Sequence, residues 1–164
     1  MIGMVRKVDE LGRIVIPKEM RRVLNIKTGS NVEIIIEENN AIILKKFSQI
    51  SNLHTFAEEL AGELHDVTGE VCLVCDEDCI ITSCGGNKRD FDGKKIAIEE
   101  GRDDVPSSAI LNLNKEYSHS HVFPIFCDGF VSGYAIVLSN EELRSEAKES
   151  VKALTSFFSK LLSI

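Results

Sequence analysis

Residues 1–47 read MIGMVRKVDELGRIVIPKEMRRVLNIKTGSNVEIIIEENNAIILKKF, and the punctuation of this stretch sets its fold. Residues 3–8 alternate as a strand does. Asp9-Glu10-Leu11-Gly12 is a turn in which Gly12 is free to take a positive φ. Arg13–Ile16 is a short β-branched strand. Pro17 suits a first helical turn, where its missing N–H costs nothing. The helix that follows carries Met20, Val23 and Leu24 on one face and Lys18, Arg21 and Arg22 on the other. Asn25 is a left-handed stop, and Thr28-Gly29-Ser30-Asn31 turns the chain. Val32–Glu37 and Ala41–Lys46 then form a hairpin closed at Glu38-Asn39-Asn40. Arginines recur at 6, 13, 21 and 22, each near the end or on the open face of an element. That placement holds guanidinium groups out toward a phosphate backbone.

Four short strands and one helix make a small core. A module below roughly 60 residues buries too little surface to be secure alone. Two copies sharing one core are therefore expected.

The whole chain has a net charge of −7, which taken alone argues against a nucleic-acid partner. Its distribution reverses that. Residues 1–47 hold nine Lys/Arg and six Asp/Glu, a balance of +3, whereas residues 48–164 hold ten and twenty, a balance of −10. A basic module joined to an acidic one suggests two jobs. No apolar run approaches the 18 or so residues of a membrane span. Arg6 and Lys7 lead into charged residues and not into an apolar leader region, so a cytoplasmic protein is expected. The five cysteines are read as reduced thiols.

Ser51 is placed to cap a helix over 52–67, with Leu53, Ala57, Leu60, Leu64 and Val67 at spacings of four and three. Two readings stay open: a short coiled-coil seam, or a helix packed on its own domain. Beyond it, Val71–Cys75 and Cys79–Ser83 form a hairpin about Asp76-Glu77-Asp78, with a short helix at 95–100. A second hairpin, His119–Phe126 and Val131–Ser139, turns at Cys127-Asp128-Gly129. Ser139-Asn140-Glu141-Glu142 reads as a capping box. It opens a last helix striped by Leu143, Ala147, Val151, Leu154, Phe158 and Leu161. A sheet flanked by first and last helices is the outline of a small sensory domain.

These residues carry a family resemblance. V-R-K-V-D-E-L-G-R-I-V-I-P-K-E-M-R-R-V-L at 5–24, G-S-N-V-E-I at 29–34 and I-I-L-K-K-F at 42–47 closely resemble the AbrB-type transition-state regulators. The order of modules is similar to that of sporulation regulators in which an AbrB-like module precedes a GAF-type domain. That part of the likeness rests on V-C-L-V-C-D-E-D-C-I-I, the F-P-I-F-C-D-G-F-V-S-G-Y-A-I-V hairpin and the final helix. The resemblance implies an α+β chain with a domain-swapped, swapped-hairpin β-barrel followed by a GAF-like α/β sensor domain. It implies double-stranded DNA as partner and Arg6, Arg13, Arg21 and Arg22 as contacts, with Lys7 at the neighbouring basic position. Two positions depart from the family: Asn25 where glycine is usual, and Ser30 where an acidic residue is usual. Asn tolerates the same backbone conformation.

Other clusters invite chemistry and lack its full pattern. Cys72 and Cys75 resemble half a zinc knuckle, but an offset of three on a strand puts them on opposite faces, so buried inert thiols are expected. His119-Ser120-His121 reads as a polar strand end. Asp76-Glu77-Asp78 lacks the later ligands and glycine of a calcium loop. Gly85-Gly86-Asn87-Lys88 lacks the G-K-[ST] ending of a phosphate loop. No activated nucleophile or acid–base pair is visible, so no enzyme, metal or cofactor is expected.

The expected organisation is 1–47 as DNA-binding module, 48–69 as linker or dimerisation helix, and 70–164 as sensor domain. A homodimer would form by strand exchange, with pairing into tetramers through the 52–67 and C-terminal helices left open. A small molecule in the sensor domain is also left open. The competing readings are an antitoxin-like protein-binding module and a metabolite sensor whose DNA binding depends on its ligand.

Overall fold

The computed structural model of the chain describes residues 4–48, 50, 54–98, 104–105 and 117–163. It is an α+β structure that divides into two units, Met1–Phe47 and Ser48–Ile164.

In the first unit Pro17 precedes helix α1 (Lys18–Val23). Asn25 follows with φ of 50°, and the chain closes the helix by two bonds: Ile26 N–H to Arg21 O at 2.8 Å and Asn25 N–H to Arg22 O at 3.3 Å. This is the six-to-one, five-to-two pairing of a Schellman stop with asparagine in the left-handed place. Ile26, the residue just beyond, is buried. Ser30 closes the next turn, its hydroxyl accepting from Lys27 N–H at 3.0 Å. Strands β1 (Val32–Ile36) and β2 (Ile42–Lys46) pair antiparallel from Val32↔Lys46 to Ile36↔Ile42.

The strands expected at 3–8 and 13–16 are not formed: their described residues belong to no ladder among the described residues. The physical reason is a missing neighbour, since a strand's N–H and C=O groups need a second strand. Burial is thin for the same reason. Of the described residues in this unit only Pro17 and Ile26 are buried. Twelve large apolar side chains are exposed, among them Val5 at 96%, Ile36 at 78%, Val15 at 77% and Val23 at 69%. Helix α1 departs from its expected orientation too. Val23 and Leu24 face outward, while Met20 and Arg21 are half-buried.

The second unit is built on one antiparallel sheet of order β4-β3-β7-β6-β5. Its elements are α2 (His54–Thr68), β3 (Val71–Asp76), β4 (Ile80–Cys84), α3 (Lys88–Phe91), β5 (Asp104–Val105), β6 (His119–Cys127), β7 (Phe130–Ser139) and α4 (Ser145–Leu162). Strands β3 and β7 are central, and each is buried over a continuous run of five residues. Such strands are apolar on both faces. On one face α2 and α4 cover the sheet: Ala57, Leu60, Leu64, Val151, Phe158 and Leu162 pack with Cys72, Val74, Ile125 and Val137. On the other, Phe91 of α3 and the half-buried Ile96, Ile98 and Tyr117 cover Leu73, Ile136 and Leu138. Gly133 marks a close approach. A Cβ there would run into the Cys75 carbonyl oxygen and lie 2.5 Å from Ile50 Cδ1.

Several local expectations are corrected here. Helix α4 starts at Ser145, not in the 139–142 box, and its cap position is Arg144 with no side-chain cap. Ser139 still belongs to β7, and its hydroxyl donates to Glu141 O at 2.7 Å, so it is not available as a helix cap. The short helix lies at 88–91, where Asn87 caps it, and not at 95–100. Lys95 forms a bridge with Cys79, and Ile96 N–H donates to Asp78 O at 2.9 Å. The stripe of α4 ends on buried Leu162, with Leu161 at 37% exposure. On α2, Ala57, Leu60 and Leu64 are buried within their own unit and Val67 is 43% exposed. Ser51 and Leu53 lie outside the described residues, as does most of 99–116.

Candidate nucleic-acid interface

The five basic residues singled out from the sequence sit on three local elements of the first unit. Arg6 and Lys7 precede the corner, Arg13 closes it, and Arg21 and Arg22 lie on α1.

The corner is organised by Asp9. Its Oδ1 accepts from Leu11 N–H at 3.0 Å and from Arg13 N–H at 2.8 Å. Its Oδ2 accepts from Arg13 Nε at 2.7 Å. Gly12, with φ of +76°, donates its N–H to Asp9 O at 3.0 Å. The Arg13 backbone N–H, followed by the Arg13 guanidinium, holds the Asp9 carboxyl below its ordinary range. An Asx turn thus both shapes the loop and aims the arginine. Only Nε of Arg13 is engaged by the carboxylate. Its two terminal nitrogens make no hydrogen bond among the described residues, and such a planar fork suits an anion such as phosphate.

Arg6, Lys7, Lys18 and Arg22 are exposed. Arg21 is different: it is half-buried, and its Nε is covered with no hydrogen-bond partner among the described residues. Asp9, whose carboxylate shapes the corner and holds Arg13, was not singled out from the sequence. Its signal was present in D-E-L-G-R, an Asx-type residue two before a backbone N–H it can bond.

The remaining candidates resolve as follows. Cys72 falls in the core under the helices and Cys75 in the opposite core, the placement that an offset of three on a strand predicts. Burial pushes the Cys72 thiol up to about 12 and the Cys75 thiol well up, so both stay protonated and unreactive. No group of three or more metal-ligating side chains occurs among the described residues. His119, Ser120 and His121 open β6, at a strand end as expected, and His121 is buried there. It is 1% exposed and its ring stacks on His119 with centroids 6.1 Å apart and planes at 12°. Among the described residues no helix is long and apolar enough to cross a membrane.

Comparison with known proteins adds identity to this geometry. Residues 52–163 match the family described as stage V sporulation protein T C-terminal, transcription factor. Residues 5–50 match the family described as antidote-toxin recognition MazE, bacterial antitoxin. The chain is 34% identical to stage V sporulation protein T of Bacillus subtilis (strain 168) over 170 residues, covering 96% of each. Its first part is 56% identical over 45 residues to the transition state regulatory protein AbrB of the same organism, covering 27% of this chain and 46% of that one. Among solved structures it resembles the GAF domain from an Acinetobacter phosphoenolpyruvate-protein phosphotransferase, with a TM-score of 0.54 at 15% identity over 71% of this chain and 83% of that one. The blue-light absorbing form of the Thermosynechococcus elongatus PixJ GAF domain gives 0.53 at 13% identity, over 71% and 88%. These two likenesses show the fold of the second unit, which is that of a GAF domain. The match over most of the second unit, together with a relative aligned end to end, places this chain in the stage V sporulation protein T family of transcription factors.

Proposed function

We propose that this chain is a sequence-specific, DNA-binding transcriptional regulator of sporulation genes. In this reading two copies of residues 1–47 exchange hairpins into one β-barrel. The barrel presents Arg6, Lys7, Arg13, Arg21 and Arg22 to the backbone of double-stranded DNA, and the GAF-fold unit regulates that grip. The protein works in the cytoplasm and catalyses no reaction.

The observation that carries the reading is the exposed apolar set of the first unit. Among the described residues of this unit twelve large apolar side chains lie open while two residues are buried, which is no stable end state for a soluble unit. A second copy supplies both the missing strands and the missing cover. The outward Val23 and Leu24 belong to that shared core, which leaves Lys18 and Arg22 for DNA. Phe56, at 46% exposure, and Phe157, at 63%, offer α2 and α4 a further surface for pairing dimers into tetramers.

Most of the affinity would come from phosphate contacts, and sequence preference partly from DNA shape. The test is fluorescence anisotropy on an AT-rich promoter duplex with Arg13→Ala and Arg21→Ala. Each variant binds more weakly while its thermal melt stays as in wild type. An unchanged isotherm removes that residue from the interface. The antitoxin reading, which the match at 5–50 brings forward, expects a disordered toxin-binding tail after the module. The sheet and helices of the second unit count against it.

A further inference from the structure

The second unit carries a cleft remote in sequence from the basic residues of the first. It lies between β6 and α4, on the helix-covered side of the sheet, and has a volume of about 790 Å³. Small-molecule sites run from about 300 to 1,000 Å³. One wall is apolar, formed by buried Phe123 and exposed Pro124 and Phe126. The other wall is α4, where Lys148, Lys152, Ser156 and Lys160 recur at intervals of four and so line one face. Lys148 donates to Glu142 Oε1 at 3.0 Å. Lys152 and Lys160 face no carboxylate within ion-pair distance among the described residues. That is notable in a segment, 48–164, with twice as many acidic as basic residues. Eight residues of helix separate the Cα atoms of these two lysines by about 12 Å. An aromatic floor beside uncompensated cations is complementary to a ligand with an apolar body and an anionic head.

We propose that this cleft binds a small amphipathic carboxylate of the medium-chain fatty-acid type. Its chain lies on Phe123 and Phe126, and its head pairs with Lys152 or Lys160. The idea deepens the regulatory reading of the GAF-fold unit by naming a ligand class, but binding at the cleft stands apart from DNA binding.

The test titrates the full-length protein with decanoate and, separately, with decanol, by calorimetry and thermal melting. Decanol has the same chain length and no charge. Decanoate binds saturably below its micellar range and raises the melting midpoint. Decanol binds at least about tenfold more weakly, the scale of one charge-assisted pair. The Lys152→Gln/Lys160→Gln double variant loses decanoate affinity by a similar factor with an unchanged unliganded melt. Ser156→Phe, at an exposed helix position facing the cleft, blocks binding. The proposal is overturned by absence of saturable binding, by equal affinity for decanol, or by wild-type affinity in the double variant; the last would leave the lysines as solvated stems over apolar surface. DNA anisotropy on the same samples separates the two readings. Protein that binds DNA and no decanoate overturns the cleft alone. Protein that binds decanoate and no DNA supports the cleft and overturns the DNA reading.

Discussion

Replacing Val15 and Val23 together by serine tests the shared core. In the single chain these side chains are 77% and 69% exposed. If that were their final environment, the double substitution would change stability by no more than about 0.5 kcal/mol per site. Burial by a second copy changes the arithmetic. Fully burying a valine contributes about 1.5 kcal/mol, and roughly a quarter to a third of that is already realised here. About 1 kcal/mol per site remains, over two sites in each of two copies. The dimer therefore loses about 4 kcal/mol, or roughly a thousandfold in dissociation constant. Sedimentation equilibrium of the full-length protein reads the affinity. Amide hydrogen exchange over residues 4–16 reads the exchanged strands even where the second unit holds copies together. Wild type protects the amides of 5–8 and 13–16, and the variant loses that protection. Wild-type amides that exchange as freely as an open loop, or a variant indistinguishable from wild type in both assays, would refute strand exchange.

Other outcomes follow from single positions in the second unit. Gly133→Ala forces a methyl group onto the Cys75 carbonyl and Ile50, and lowers stability by about 1–3 kcal/mol in urea titration. Thr82 is 1% exposed with a hydroxyl that has no hydrogen-bond partner among the described residues. Thr82→Val removes that buried polar atom at nearly constant volume and raises stability by about 1 kcal/mol; a loss would mean the hydroxyl is bonded in solution. Burial raises the Cys72 thiol from 9.0 in the open chain to about 12 in the fold. The folded state thus keeps a proton the unfolded chain releases. Stability is full below pH 9.0 and falls as pH rises toward about 12, and Cys72→Ala makes that decline shallower. A pH-independent urea midpoint across that window would contradict the burial.

The sequence was most legible where local chemistry decides structure. The Asp9–Gly12 corner, the Asn25 stop and the β1–β2 hairpin depend on neighbours a few residues away, and turn residues announce them. The central strands β3 and β7 were legible because their short, β-branched apolar runs are bounded by turn residues, Asp76-Glu77-Asp78 after one and Asp128-Gly129 before the other. Residues 4–8 and 13–16 were readable as strand-forming, yet they join no ladder among the described residues, because periodicity shows that a segment can pair and not what it pairs with. Ser139 misled for a physical reason: a capping-box pattern says where a helix can start, while the β6–β7 pairing His119↔Ser139 held that serine in a strand. His121 was legible as a strand-end residue, but its burial was not, because polarity alone does not reveal a buried face. Of the candidate site, the arginines were visible as residues; D-E-L-G-R marked Asp9 as a turn former, and the distances added that its Oδ2 holds Arg13 Nε.

The most direct test of the phosphate grip is the salt dependence of DNA affinity for wild type and the Arg13→Ala/Arg21→Ala double variant. Each phosphate neutralised contributes about −0.9 to the slope of log affinity against log salt on duplex DNA. The account predicts a steep wild-type slope that becomes shallower by about 2 units per chain-equivalent pair of lost contacts in the variant. Equal slopes, or no binding by wild type at low salt, would contradict the claim that residues 1–47 hold DNA through these arginines.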